Sequence, residues 1–328
     1  MASARGTGHG SRRWVLVPML TALAMVAIAC SSGGSSGGSS ASSSIGDPNT
    51  DKLAQVLARG TLILSTDPAY PPQSYAVKGA TRLSDTKCAP NQMTANQIAG
   101  YDADIGKLVA KALGVEPCFV APTWTEVTGG NWNDRWDVSW GSGAINTDRM
   151  ERLWMTQPYR AEPQIFFVKK DSPYQAPGDL DGKSVGACTS CTVEYYLEGS
   201  LQIPNLDLPQ KVKDPKVVLF ETEWPGLKAA SKGKLDAYLA AQAVGEQAIK
   251  EGMDLRPLKE EAFTMYLTGF LDKSSAYSQT AFAAKIDQVV SGLLADGSLK
   301  ALSMKYFGKD YATASSDYDF ASLNQQIP

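Results

Sequence analysis

The sequence has 328 residues, of which 43% are hydrophobic and 20% are charged, a balance typical of a globular protein. Its formal net charge is −3; the first 29 residues hold three of the 31 basic side chains and none of the 34 acidic ones, so the remainder carries −6. An acidic chain of this kind argues against a nucleic acid as the partner.

The first 29 residues are predicted to be an export signal. Arg5, Arg12 and Arg13 precede an uncharged, mostly apolar run over residues 14–29, which ends in the small residues of a cleavage site. The run approaches the ~20 residues of a membrane span, but its position favours a cleaved signal. Because Cys30 follows at once, the junction resembles a bacterial lipobox. We expect lipidation of Cys30 and leave the export route open between the general and twin-arginine pathways.

Residues 31–46 are almost wholly Ser and Gly, a composition that cannot bury a core and acts as a flexible tether. We expect residues 30–50 to anchor the protein to the outer face of the cell membrane, because a multiply acylated cysteine binds a membrane stably. The remaining ~280 residues exceed one typical core and predict two lobes.

Histidine usage narrows the chemistry. His9, the one histidine, lies in the predicted signal, so the mature protein has neither a histidine triad nor a histidine metal site. We therefore expect no metal and no cofactor.

The cysteines other than Cys30 number four, which in an exported protein predicts two disulfides. The most local of the three possible connectivities pairs Cys88 with Cys118 and Cys188 with Cys191. A Cys-x-x-Cys pair can instead be redox-active, although no thioredoxin-like Trp precedes this one.

Strands alternate with helices from residue 51 onward. Strands are predicted over residues 61–66, 118–120, 164–169, 183–188, 217–220 and 235–239. Helices are predicted over residues 100–114, from residue 225, and over 281–306 with a break at Asp296-Gly297. This order predicts an α/β fold with mostly parallel sheets, whose ligands bind beyond the carboxyl ends of the strands.

The stretch from Asp137 to Arg149 is the candidate centre of a binding site. A short strand runs into Gly-Ser-Gly-Ala, whose small side chains let a ligand approach the backbone, and Asn146 is a good N-cap for the following helix. A guanidinium near a helix N-terminus, which is already positive, makes sense where an anion binds. The alternative is a surface arginine paired with a nearby acid: Asp148, Glu151 or Glu162.

Seven short motifs in this order resemble family 3 of the extracellular solute-binding proteins, the polar amino-acid receptors of bacterial ABC importers. They lie at residues 66–72 (Thr-Asp-Pro-Ala-Tyr-Pro-Pro), 100–104 (Gly-Tyr-Asp-Ala-Asp), 137–149, 158–159 (Pro-Tyr), 180–192, 233–237 (Gly-Lys-Leu-Asp-Ala) and 296–308. The likeness covers residues 52–310.

The resemblance implies a two-lobed fold of the type II periplasmic-binding-protein kind, with the ligand cleft between lobes that close by a hinge. It places the two hinge crossings near Arg160 and Thr268. Residues 51–160 and 269–328 then form a discontinuous lobe 1, and residues 161–268 form lobe 2.

The resemblance also implies a set of ligand contacts. By position, Arg149 binds the ligand carboxylate, helped by Ser142, the backbone around Ala144, and Thr192 from the opposite lobe. Tyr70 and Tyr101 lie on either side of the ligand side chain. Asp67 reaches the polar end of that side chain. Bidentate arginine–carboxylate pairing and stacking tyrosines suit these roles. In isolation, the tyrosines could equally be core-edge residues and Asp67 a turn residue. Asp102 and Asp104 are expected to be structural.

One departure from the family pattern concerns the ligand's ammonium group. The family's acid for that group follows the Gly-x-Leu-Asp-Ala motif by four residues, where this chain has Ala241, with Gln242 next to it as an expected ligand contact. A buried ammonium without a carboxylate is costly. Either another acid substitutes, for which Glu221 is the candidate, or the ligand lacks an α-amino group.

Three functions follow from these features. The first is a monomeric binding protein that closes on a small carboxylate, most simply an amino acid or a derivative, and delivers it to an ABC permease. The second is a dehydratase-like enzyme on the same scaffold, with Glu221 or Glu162 as general acid. The third is a receptor that signals to a partner protein in trans.

Overall fold

A computed structural model describes residues 46–327. The predicted signal peptide (1–29), Cys30 and residues 31–45 of the tether lie outside the described residues. In the described part of the chain, no helix has the length and apolar character needed to cross a bilayer.

The elements alternate as the sequence predicts. The strands are β1 (Thr61–Ser65), β2 (Ala69–Tyr70), β3 (Ser74–Ala76), β4 (Met93–Thr94), β5 (Ile98–Ala99), β6 (Glu116–Val120), β7 (Val138–Ala144), β8 (Leu153–Met155), β9 (Arg160–Lys169), β10 (Ser184–Cys188), β11 (Lys216–Phe220), β12 (Ala237–Ala241) and β13 (Leu255–Asp272). The helices are α1 (Lys52–Arg59), α2 (Tyr101–Leu113), α3 (Trp124–Gly129), α4 (Thr147–Met150), α5 (Thr192–Leu197), α6 (Glu223–Ser231), α7 (Gln242–Lys250), α8 (Thr280–Ala295) and α9 (Ser298–Phe307), with 3-10 turns at Pro177–Leu180, Thr313–Asp317 and Phe320–Leu323.

Two blocks of parallel strands are joined through two long antiparallel strands. The order β11-β10-β12-β9-β13-β7-β1-β6-β4 runs through one sheet, with β8 paired to β13. Strands β1, β6 and β7 pair in parallel, as do β10, β11 and β12, whereas β9 and β13 are antiparallel with Arg160 opposite Leu267. The chain thus crosses between the blocks on β9 and β13; the lobe boundaries at 161 and 268 stay a prediction.

Local sequence signals set the element ends. The Asn146 side chain accepts a 2.8 Å hydrogen bond from the Arg149 backbone N–H and caps α4, as predicted. Gly114 ends α2 with φ 71°, and Gly297 separates α8 from α9 with φ 79°, both left-handed conformations that glycine adopts without strain.

The sequence analysis missed β13, an 18-residue strand. Its first part contains Pro257 and the charged run Lys259-Glu260-Glu261, and its register against β9 shifts between Pro257 and Glu261 and again before Phe263. These irregularities hide the period-two alternation by which a strand is recognised.

Both predicted disulfides are present. Cys88 bonds to Cys118 across 30 residues, and Cys188 bonds to Cys191 across three. The first ties the loop after β3 to β6. The second closes the turn between β10 and α5.

We expect the two disulfides to contribute unequally to stability. In the chain-entropy account a bridge stabilises more when it closes a longer loop, so the Cys88→Ala/Cys118→Ala variant should lose about 3–4 kcal/mol and the Cys188→Ala/Cys191→Ala variant about 2 kcal/mol. Urea unfolding of both variants measures the difference. Equal losses, or a larger loss from the short bridge, would contradict the expectation.

Candidate ligand-binding cleft

A cavity of about 650 Å³ lies at the carboxyl ends of β1, β7, β10 and β11. Its volume is in the range of small-molecule sites, and the ends of parallel strands are where α/β proteins bind ligands. Residues from both blocks line it: Ser65, Thr66, Asp67, Tyr70, Pro122, Thr123, Trp124, Thr125, Val127, Ser139, Gly141, Ser142, Arg149, Gln164, Cys188, Thr189, Cys191, Thr192, Val193, Glu221, Thr222, Glu223 and Met265.

The structure brings six of the sequence-predicted contacts to this cleft and leaves three outside its lining. Those that line it are Asp67, Tyr70, Ser142, Arg149, Thr192 and Glu221. Tyr101 is instead fully buried, with its hydroxyl donating to the Tyr159 carbonyl at 3.2 Å and its ring 4.9 Å from that of Phe307. As the first residue of α2 it packs into the core rather than against a ligand.

The other two predicted contacts outside the lining, Ala144 and Gln242, make hydrogen bonds to residues close to them in the sequence. Ala144 presents its carbonyl to Arg149 Nη1 at 3.0 Å. Gln242 begins α7 and donates to Glu246 at 2.8 Å. The backbone around Ala144 therefore positions the arginine.

Arg149 is the buried cation of the cleft, with a side chain only 1% exposed. Nη1 donates to the Ala144 carbonyl, Nη2 donates to the Ser190 carbonyl at 2.9 Å, and Nε is buried without a partner among the described residues. The guanidinium lies 5.0 Å from the Trp124 ring centre. Burial lowers the pKa of Arg149 to about 10, so the group stays charged near neutral pH.

The acids that could have paired with Arg149 are engaged elsewhere. Asp148 pairs with Arg152 at 2.5 Å, Glu151 lies 3.9 Å from the same arginine, and Glu162 pairs with Arg160 at 3.1 Å. Arg149 is therefore not a surface arginine neutralised by its neighbours.

The turn closed by the Cys188–Cys191 disulfide reaches across the cleft. Ser190 within it adopts a left-handed conformation with φ 60°. Its carbonyl accepts hydrogen bonds from Trp124 Nε1 at 3.1 Å and from Arg149 Nη2. Trp124 and Arg149 lie on the side of the cleft formed by β1, β6 and β7, whereas Ser190 follows β10 on the other side. The two hydrogen bonds to the Ser190 carbonyl therefore join the two sides of the cleft at Arg149.

A second buried charge cluster lies behind the cleft. Arg160 Nη2 donates to Ser142 Oγ at 2.9 Å, and the Ser142 hydroxyl in turn donates to the Asp102 carboxylate. Burial raises the pKa of Asp102 to about 6, against the opposing effect of Arg160. The Glu162 carboxylate accepts from the Ala243 backbone N–H at 2.7 Å. Asp102 lies behind the cleft and contacts it through Ser142, and Glu162 pairs with Arg160.

Sequence analysis missed Glu223, the first residue of α6. Its side chain lines the cleft and is 8% exposed, whereas Glu221, two residues earlier, is exposed. Burial, reinforced by repulsion from Glu162, raises the pKa of Glu223 to about 8. Its place shortly after β11, at the ligand-binding ends of the strands, is a signal that Glu221 shares, so the sequence does not distinguish the two acids.

Residues 62–309 match the family of bacterial extracellular solute-binding proteins, family 3. The chain belongs to that family, which confirms the resemblance predicted from its motifs.

Individual proteins similar to this chain include binding proteins and one enzyme. The L-cystine-binding protein TcyJ of Escherichia coli K12 is 24% identical over 260 residues, 79% of this chain and 86% of that protein. Cyclohexadienyl dehydratase of Pseudomonas aeruginosa is 23% identical over 232 residues, 67% of this chain and 80% of that protein. The crystal structure of an ABC uptake transporter substrate-binding protein from Streptococcus pneumoniae with bound histidine has a TM-score of 0.64 at 19% identity, covering 80% of this chain and 98% of that one. This likeness confirms the predicted two-lobed fold.

We expect Arg160→Met to destabilise the protein by about 3–5 kcal/mol, because it leaves Asp102 and Glu162 buried without their cation. The loss should shrink as the pH falls towards about 6, the pKa of Asp102 in the wild type, because a protonated carboxyl no longer needs the cation. Burial raises the pKa of Glu162 as well, so its protonation acts in the same direction. Urea unfolding at pH 5 and pH 8 measures both effects. Arg152→Met, which breaks a more exposed ion pair, is the control and should cost at most about 1 kcal/mol. If Arg160→Met also cost at most about 1 kcal/mol, with no dependence on pH, then Arg160 would not be neutralising buried carboxylates.

Proposed function

We propose that this protein is the extracytoplasmic binding component of an ABC importer and that it closes on a small carboxylate, an amino acid or a derivative. The observation that carries the proposal is the buried Arg149 guanidinium in the cleft, which hydrogen-bonds carbonyls rather than a carboxylate and keeps Nε unpartnered among residues 46–327. A ligand carboxylate supplies the counter-charge that such a group lacks. The relatives named as binding proteins support the same class.

Other lining residues take supporting roles in this proposal. Thr192 offers a hydroxyl on the opposite wall from Arg149, and Tyr70 offers an aromatic surface to the ligand's apolar part. Asp67 lies at the exposed end of the cleft, where it can meet a polar ligand terminus. Ser142 belongs to both the lining and the Asp102–Arg160 cluster, so it links ligand contacts to the buried charges.

The same proposal includes a place in the cell. The family is extracellular, and the signal and Ser/Gly tether in the sequence support attachment to the outer face of the membrane through a lipidated Cys30. From there it would deliver its ligand to a membrane permease.

An enzyme on this scaffold is the second candidate, and Glu223 is the observation that favours it. A buried cleft carboxyl with a pKa of about 8 is protonated near neutral pH, as a general acid must be. Mass spectrometry distinguishes an enzyme from a binding protein when each small carboxylate that binds is incubated with the protein and the solute is then analysed. Loss of water from the solute supports an enzyme, and recovery of unchanged solute supports a binding protein.

The ligand class can be found with a thermal-shift screen. The soluble part, starting at Ser31, is unfolded and refolded to remove any carried solute, then mixed with the twenty protein amino acids and cystine. A ligand at about 100 times its Kd should add about 2.7 kcal/mol and raise the Tm measurably. A screen in which no carboxylate raises the Tm would contradict the proposed function.

Arg149→Ala should weaken binding of the best ligand from this screen by more than roughly 100-fold, since it removes one partner of a buried charge pair. Arg149→Lys should bind weakly too, because an ammonium lacks the planar fork. Isothermal titration measures both, with Arg152→Ala as the control for a nearby arginine outside the cleft lining. Wild-type affinity in Arg149→Ala would refute the site.

A further inference from the structure

The wall of the cleft formed by β9 and α6 presents two buried acceptors. Gln164 is 0% exposed; its Nε2 donates to the Glu162 carbonyl at 3.2 Å, which leaves Oε1 without a partner among the described residues. Glu223 Oε2 is likewise buried and has no hydrogen bond of normal geometry in this part of the chain, although the Tyr70 hydroxyl lies near the carboxyl and lowers its pKa. Its Oε1 lies 3.9 Å from the sulfur of disulfide-bonded Cys188. Both side chains line the cavity.

Unpartnered buried acceptors on a cavity wall call for a donor. Burying a carbonyl or carboxylate oxygen without a hydrogen bond is costly, and native proteins satisfy nearly all such groups. Because a carboxylate and an amide oxygen are both acceptors, the matching ligand group is a cation with several N–H bonds, such as an ammonium.

The charges around the cleft favour the same group. The lining holds three carboxylates, those of Asp67, Glu221 and Glu223, but one cation, Arg149. Asp67 and Glu221 are exposed to solvent, whereas Glu223 is buried and ionises at a high cost unless a cation joins it. A ligand that brings an ammonium therefore suits this wall better than one that brings only a carboxylate.

The position of Gln164 connects this wall to the departure found in the sequence. Ala241, which stands where the family has its acid, is the register partner of Gln164 across β12 and β9. Gln164 therefore lies beside the position of the missing carboxylate, on the neighbouring strand.

We propose that Glu223 and Gln164 form the subsite for a ligand ammonium, so that the bound solute is a zwitterion held by Arg149 at one end and by this pair at the other. The proposal rests on the proposed binding function. It assigns the role expected of Glu221 to Glu223, which is buried where Glu221 is exposed.

The electrostatics of Glu223 give the subsite a pH dependence. Burial and nearby acids raise the pKa of Glu223 to about 8, so it is largely protonated in the free protein near neutral pH and ionises when a cation arrives. The other titratable groups that act on it are Asp67, Tyr70, Arg160 and Glu162, and Tyr238 packs nearby. Because binding requires the ionised form, affinity for an ammonium ligand should rise with pH up to about 8.

The experiment uses the amino acid that raises the Tm most in the screen described above, together with its Nα-acetyl and its deaminated counterparts. For a solute with two amino groups, the isomer acetylated on the side chain is added, which tells an α-ammonium from a terminal one. Isothermal titration gives Kd for the wild type, Glu223→Gln, Gln164→Leu and Glu221→Gln.

We expect Glu223→Gln to weaken the ammonium ligand by roughly 30-fold or more and Gln164→Leu by roughly tenfold. Wild-type affinity should rise roughly eightfold from pH 6.5 to pH 7.5, and Glu223→Gln should lose this rise. The counterpart without the relevant ammonium should bind the wild type at least as weakly as the ammonium ligand binds Glu223→Gln.

The stability of the unliganded protein is a second readout. Glu223→Gln removes a carboxyl whose ionisation is penalised by burial, so its Tm at pH 8 should equal or exceed that of the wild type. This result also shows that weak binding does not come from misfolding.

Three results would overturn the subsite: wild-type affinity in Glu223→Gln, a loss carried by Glu221→Gln instead, or equal binding of the ammonium-free counterpart. In each of these, a continued requirement for Arg149 would leave the proposed function standing. Loss of that requirement would reject the proposed function itself.

Discussion

The burial of the Arg149 guanidinium is the constraint on which the rest of the cleft depends. A charge removed from water must be compensated by hydrogen bonds and a counter-charge. The protein supplies the hydrogen bonds from two sides, through the Ala144 carbonyl at the end of β7 and the Ser190 carbonyl in the disulfide turn. Asn146 caps the helix that carries the arginine. Each of these local features serves to hold one cation facing a cavity.

A comparison of the two buried arginines separates structure from function. Arg160 lies on β9 beside Glu162 and donates to Ser142 on β7, so its charge is matched within the protein and it connects these two strands. Among residues 46–327, the Arg149 guanidinium donates hydrogen bonds to two carbonyls and pairs with no carboxylate. The same physical cost of burial thus places one arginine in the framework and supports the proposed binding role of the other.

Sequence analysis predicted the features that local chemistry decides. The Asn146 cap, the end of α2 at Gly114 and both disulfides follow from residue type and spacing, and the ordered motifs identified the family. It did not place Tyr101, whose direction depends on how α2 packs against Phe307, nor recognise β13, whose alternation is interrupted at Pro257. It named Glu221 and did not consider Glu223, because the difference in burial between the two acids is defined only by the packed structure.

The most direct test of the central claim is a crystal structure of the protein with the solute that raises its Tm most. The account predicts that the solute's carboxylate lies about 3 Å from the Arg149 guanidinium, within the cavity at the ends of β1, β7, β10 and β11. A solute bound in that cavity with its carboxylate directed away from Arg149, or bound elsewhere on the protein, would contradict it.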